Sequence, residues 1–320
     1  MGLYKTMSTS GAVSAADLAS TTGYKERWLL EWLRNQTAAG LIDYDSSTEK
    51  FSLSPAALPI LVDETNPFNI AGFFEHPVSV DELGRIAEAF ETGLGVSYNE
   101  HGGPCACAVK RFTSPGHTLL VEFLQRVDGL HEKLEAGATV VDVGCGAGVA
   151  LIELARAYPN STFEGYDPAV AAIEIAIADT KEAGLTNITY HIAGGEDLPQ
   201  QPKYDLALTL DCLHDMPFPQ EVLSAIRGSI KPDGVLVIKD IKCSDKFEEN
   251  LANPFSPALY GISVLICMSS ALSQPGGAGL GTMGFNPVLG EQMTKASGFS
   301  SFSHLPIEED IFNNFYEVRV

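Results

Sequence analysis

Carboxylates and one histidine recur just where short apolar runs of this chain end. In Val141-Asp-Val-Gly-Cys-Gly-Ala-Gly148, Asp142 precedes a turn made of Gly144, Cys145, Gly146 and Gly148. Glycines there let backbone approach a ligand with no side chain in the way. The next apolar run ends at Asp167 in Phe163-Glu-Gly-Tyr-Asp-Pro168, and a third is followed by Glu196-Asp197 in Gly195-Glu-Asp-Leu-Pro199. A fourth leads into Leu210-Asp-Cys-Leu-His-Asp-Met-Pro217, which holds Asp211, His214 and Asp215.

Two ligand classes fit a glycine turn between strand and helix. A nicotinamide dinucleotide site calls for Gly-x-Gly-x-x-Gly, but Gly148 falls one residue off that spacing and Asp142 is foreign to the fingerprint. S-adenosylmethionine gives every element a use. Asp142 anchors the turn and meets the methionine end, Cys145 is a small side chain in the turn, and Asp167 accepts both ribose hydroxyls bidentately. Asp197, beside Glu196, accepts from the adenine amine, and Asp211 borders the methionine end. The competing reading is structural, with Asp167 a helix N-cap and Asp197 a turn residue. His214 suits a general base, because imidazole titrates near neutrality and the loop lies at the carboxyl end of a strand. It could equally cap a loop or shape a pocket, since in-line methyl transfer rests mainly on positioning.

The surrounding elements fall into three zones. Residues 1–62 read as helix, turn, helix and a β-wing: Ser14 caps the first helix, and Lys25–Ala39 puts Trp28, Leu29, Trp32 and Leu33 on one face. Two strands, about 41–44 and 51–53, flank a polar turn. Residues 63–135 form an irregular helical cap, broken at Asn66-Pro67, Glu75-His76-Pro77 and Gly102-Gly103-Pro104, with an amphipathic run over Leu119–Leu134. From residue 136 to 320, strands alternate with helices: strands at 139–143, 161–166, 188–192, 204–209 and 235–241, helices at 149–158 and 169–183. That alternation predicts an α/β fold with a doubly wound, mostly parallel sheet and ligands beyond the carboxyl ends of its strands. An insertion at 243–284 covers the site, and a helix at 288–297 precedes two final strands, 302–305 and 315–320, expected as an antiparallel edge.

Val141–Gly148, Asp167, Glu196-Asp197, Tyr204–Asp211 and Lys231-Pro-Asp-Gly234 resemble the ordered motifs of class I S-adenosylmethionine-dependent methyltransferases. The N-terminal zone, with Arg27-Trp-Leu-Leu-Glu-Trp-Leu33, resembles the winged helix of small-molecule O-methyltransferases and of bacterial-type methyltransferases without assigned substrates. The resemblance implies a seven-stranded Rossmann-like sheet, a small-molecule methyl acceptor and His214-Asp215 as the catalytic pair. It also implies a homodimer through the winged helix. That family usually has a helical segment before the winged helix, whereas this chain begins almost inside it, and it usually follows His-Asp with Trp where Met216 stands here. The second reading is a non-catalytic regulator that binds the same cofactor and uses the winged helix for protein contacts.

Composition narrows the partners. With 20 Lys and Arg against 41 Asp and Glu the net charge is −21, a field that repels phosphate backbones. Within residues 1–62, Lys5, Lys25, Arg27, Arg34 and Lys50 face Asp17, Glu26, Glu31, Asp43, Asp45 and Glu49. A DNA-reading helix needs a net basic face, so no nucleic acid is expected. Six scattered cysteines argue against a disulfide framework, and Cys105-Ala-Cys107 has no second pair at zinc spacing, so no metal is expected. His76, His101 and His117 are expected in surface or core positions, while Tyr98, Tyr260 and Met268 are candidate pocket walls. MGLYKTMSTSG has no apolar leader segment, and the most apolar stretch, 258–268, is too short to span a bilayer. A cytoplasmic location without membrane attachment is the expectation.

Overall fold

Alternating apolar runs of this kind can be buried only by stacking helices on both faces of a sheet, and the computed structural model has that architecture. It describes residues 1–71 and 78–320; the break expected at Glu75-His76-Pro77, with His76, lies outside the described residues. Two compact units are formed, one by the described residues of Met1–Glu75 with Arg111–Gly116, the other by those of His76–Lys110 with His117–Val320. The expected cap zone, 63–135, is thus divided between the units.

In the first unit, helices Leu3–Ser10, Ala15–Thr22 and Glu26–Ala38 precede the antiparallel pair β1 (Ile42–Asp45) and β2 (Lys50–Leu53). Ser14 and Asp17 form a reciprocal capping box at the second helix. The opening helix was not expected, because its sequence is polar apart from Leu3 and Met7. Those two, one turn apart, are buried with Leu18, Leu29, Leu33, Ile42 and Phe51. The expected four-residue face on the third helix is narrower than read. Leu29 and Leu33 are buried, whereas Trp28 is 80% exposed, because adjacent residues sit about 100° apart around a helix. Trp32 is partly buried, its ring 5.2 Å from that of Tyr4.

The second unit is built on seven strands: β3 (Thr139–Val143), β4 (Thr162–Asp167), β5 (Ile188–Ile192), β6 (Tyr204–Leu210), β7 (Ile230–Ile241), β8 (Ser301–Leu305) and β9 (Asn313–Arg319). Their order is β5-β4-β3-β6-β7-β9-β8. β3 to β7 pair in parallel, and β9 runs antiparallel to both neighbours. The two final strands thus form the expected antiparallel edge, with β9 next to β7 and β8 outermost. Alternation along each strand splits the core into two layers. Val140, Leu206, Leu208 and Val237 pack with Leu151, Leu154 and Phe123 on one face. Val141, Ala207, Leu236 and Ile238 pack with Val222, Ile226 and Phe299 on the other.

Helices Val80–Thr92 and Tyr98–His117, the latter kinked at Gly102, precede the sheet in sequence. The amphipathic run that follows is two short helices, Leu120–Leu124 and Leu130–Ala136, separated at Asp128-Gly129. Within the insertion, helix Ser256–Ile262 passes through a π-helical segment, Ser263–Cys267, into Met268–Ala271. Among the described residues no helix is long and apolar enough to cross a membrane.

Candidate active site

The glycine turn leaves the carboxyl end of β3 with positive φ at Gly144, Gly146 and Gly148. The three glycines do different things. A Cβ at Gly144 would lie 2.7 Å from the Cβ of Cys212, and one at Gly148 would run into the Tyr190 hydroxyl; at Gly146 it would meet nothing within 4 Å. Gly144 and Gly148 are thus required by packing, and Gly146 is the one that opens onto free space. Cys145 is buried, its N–H donating to the Tyr166 carbonyl at 3.1 Å.

Asp167 ends the neighbouring strand β4 and clamps this turn. Its Oδ2 accepts from the Gly146 N–H at 2.9 Å and its Oδ1 from the Ala169 N–H at 2.8 Å. Burial raises its pKa, opposed by those two backbone donors. Asp142 is 1% exposed and its Oδ1 has no partner. Burial, with a smaller push from the Asp167 charge, raises its pKa to about 8. Glu196 and Asp197 form the single turn Gly195–Asp197 after β5, with both side chains in solvent.

Asp211 has partners within the fold. It leaves β6 in the left-handed conformation, φ 57°. Its carboxylate is occupied by the Lys239 ammonium at 2.6 Å and by the Asn313 side-chain amide. Lys239 is 3% exposed, so Asp211 is the counter-charge of a buried lysine on β7.

His214 lies on the turn Leu213–Asp215 after β6 and is 3% exposed. Its loop is held from behind by the glycine-rich stretch of the insertion, where the Ala278 N–H donates to the Pro217 carbonyl and the Gly281 N–H to the His214 carbonyl. The Nδ1 atom sits 2.7 Å from Asp240 Oδ1, and Nε2 sits 2.9 Å from Asp215 Oδ1. The Tyr98 hydroxyl donates to the other oxygen of Asp215 at 2.8 Å. Burial alone would lower the histidine pKa, but the charges of Asp215 and Asp240 outweigh it and hold the ring well above the usual range. An ordinary near-neutral imidazole, as the residue type suggests, is therefore not what this site contains.

Asp240 is the residue that sequence reasoning missed. The signal was available, since Lys239-Asp240 is a charged pair closing an otherwise apolar strand, Val235-Leu-Val-Ile238, and a buried charge demands a partner. His101 is buried and paired with Glu82 at 2.7 Å. His117 is buried with neither ring nitrogen hydrogen-bonded, and burial followed by the Lys239 charge pushes its pKa down to about 3. Tyr260 packs against Phe247 and Met268 is partly buried.

Residues 134–267 match the family described as "Methyltransferase domain", and residues 1–61 match the "Rv2258c-like winged HTH domain". The chain carries a methyltransferase domain. Over 124 residues, 36% of this chain and 52% of the relative, it is 32% identical to the ubiquinone biosynthesis O-methyltransferase of Actinobacillus pleuropneumoniae serotype 7. The chain spans about half the length of the curated relatives it matches. Among solved structures that share the fold, two cover 99% of this chain. An O-methyltransferase family protein from Burkholderia thailandensis superposes with a TM-score of 0.70 at 17% identity, covering 99% of this chain and 90% of that one. Human N-acetylserotonin methyltransferase in complex with S-adenosylmethionine gives 0.70 at 14% identity with the same coverage. The methyltransferase match begins just before β3 and ends at Cys267, so it takes in the glycine turn, Asp167, His214 and Asp240.

Proposed function

We propose that the chain is an S-adenosylmethionine-dependent methyltransferase acting on a hydroxyl group of a small molecule. One juxtaposition carries the reading. At the carboxyl ends of the adjacent strands β3 and β6 stand a buried Asp142 with an unpartnered Oδ1 beside an open glycine turn, and a histidine locked by two carboxylates.

When bound, S-adenosylmethionine supplies an electrophilic methyl group on a sulfonium that also carries an ammonium-bearing arm. The protein atoms that fit it are specific. Asp142 Oδ1 is an acceptor in want of a cation or donor. Each Asp167 oxygen uses one lone pair on backbone, which leaves capacity for two hydroxyl donors. Asp197 is exposed on the next loop, free to accept from an amine. Glu196 stands beside it, and Gly146 leaves room for close approach.

On the acceptor side, Asp240 fixes the Nδ1–H, so Nε2 is the atom that takes the hydroxyl proton. Asp215, itself positioned by Tyr98, stands next to that nitrogen. Because both carboxylates favour the protonated ring, the basic form grows in as pH rises above the ordinary histidine range. The relatives' O-methyltransferase activity supports a hydroxyl acceptor. Calorimetric titration with S-adenosylmethionine, S-adenosylhomocysteine and NAD, followed by an acceptor screen with methyl-labelled cofactor, tests this reading. The first two ligands are expected to bind and NAD is not; NAD binding without S-adenosylmethionine binding would overturn it.

A further inference from the structure

A nitrogen of His214, a carboxylate oxygen of Asp215 and the Sγ of Cys267 lie within 4.8 Å of one another, on three buried residues. Two further observations bear on what they do together. Nδ1 is committed to Asp240, which leaves Nε2 as the nitrogen facing the cluster. Nε2 and Asp215 Oδ1 are 2.9 Å apart, yet Oδ1 is buried and makes no hydrogen bond. The ion pair and the neighbouring thiol thus bring three ligand-type atoms to one point. The π-helical segment Ser263–Cys267 ends at the thiol, and such bulges are frequent at functional sites.

We propose that His214, Asp215 and Cys267 form a site for a zinc-type divalent cation. A nitrogen, oxygen and sulfur set matches zinc, whereas magnesium and calcium prefer oxygen alone. Tetrahedral zinc separates its ligand atoms by about 3.3–3.6 Å, so shifts of a fraction of an ångström convert the cluster into a coordination shell. Asp240 then holds the far side of the imidazole, the carboxylate–histidine–metal arrangement that orients histidine ligands. Binding replaces the Nε2 proton and the Cys267 thiol proton, so about two protons leave as the cation enters. The fourth position stays open to water or to an acceptor oxygen. If the methyl-transfer reading holds, a cation there takes the lone pair the acceptor needs, and zinc inhibits.

Cadmium titration of the full-length chain tests the site without cofactor or acceptor. It is done in a Cys107→Ser background, because Cys107 is the exposed thiol. The expected result is an ultraviolet thiolate-to-cadmium band that saturates near one equivalent with proton release, and that disappears in Cys107→Ser/Cys267→Ser. Asp240→Asn is expected to keep the band and weaken cadmium about 10–100-fold. No band at stoichiometric cadmium, or a band unchanged by Cys267→Ser, overturns the proposal. Where transfer is measurable, zinc should inhibit the Cys107→Ser protein and spare the doubly substituted one. Equal sensitivity would overturn the site, whereas an absence of transfer would count only against the proposed activity.

Discussion

The two halves of the site handle buried charge in opposite ways. At the end of β3, Asp142 is buried with an unpartnered oxygen, and its pKa rises to about 8. At the end of the neighbouring strand β6, His214 is also buried but faces Asp240 and Asp215. In one half the carboxyl has no counter-charge, while in the other the ring is paired with two carboxylates. S-adenosylmethionine should therefore change the protonation of the first half strongly and leave that of the second unchanged.

The largest expected effect breaks the paired half. His214→Ala should lower turnover about 10²–10⁴-fold, the usual worth of a general base, with S-adenosylmethionine affinity nearly unchanged. In the unsubstituted protein the ascending limb of the pH–rate profile should lie above about 6.5, the unperturbed histidine value. The sign follows from the neighbours, because two carboxylates stabilise the imidazolium and the basic form appears only as pH rises through the raised pKa. Asp240→Asn removes one of them and should move that limb to lower pH. A limb that stays put would detach Asp240 from the titration. An acceptor acidic enough to ionise unaided would blunt both effects, so a weakly acidic alcohol is the proper substrate.

Next comes the half without a counter-charge. Asp167→Ala should weaken S-adenosylmethionine binding by about 1–3 kcal/mol, the scale of charge-assisted hydrogen bonds, as read by calorimetry. Because Asp167 also clamps the Gly146 and Ala169 amides, Asp167→Asn is the gentler control. Unchanged affinity in both variants would remove Asp167 from the site.

Much of this was legible in advance, for a physical reason. Parallel strands buried on both faces must read as apolar runs, so β3 to β7 and the glycine turn stand out from the chain. What was illegible depends on partners brought from elsewhere. Asp240 meets His214 across 26 residues because β6 and β7 are neighbours, and strand order is not written in either segment. The pairing of Asp211 with the buried Lys239 was hidden for the same reason, since Lys239 lies on β7. The opening helix hid because two apolar residues in eight are too few to mark an amphipathic face.

A smaller effect concerns the first unit. Trp28 is 80% exposed on a helix whose buried stripe is Leu29 and Leu33, and Tyr24, just before that helix in sequence, is 43% exposed. Large aromatics left in water are the usual anchors of protein interfaces, and we propose self-association through this face. Trp28→Ala should then weaken the dimer measured by sedimentation while leaving thermal stability close to unchanged, since the side chain contributes little to its own core. An unaltered sedimentation profile would remove Trp28 from any such contact.

The finest test of the comparison is Asp142→Asn, which removes the titrating carboxyl from the first half. The acid titrates near 3.9 when unfolded and near 8 when folded. Between those values the folded chain holds the extra proton, so stability falls as pH rises toward 8. An amide carries no such proton, so the variant should lose that slope and melt higher than the parent at pH 8. Cofactor binding should respond in the opposite sense. A cation placed beside Asp142 favours its ionised form, so the parent should release a proton when S-adenosylmethionine binds near pH 7, seen as a dependence of the calorimetric heat on buffer ionisation enthalpy. The variant should bind more weakly and with a heat that no longer depends on the buffer. Should the parent's heat be equally insensitive, the cationic arm of the cofactor does not meet Asp142, and its buried carboxyl serves the turn alone.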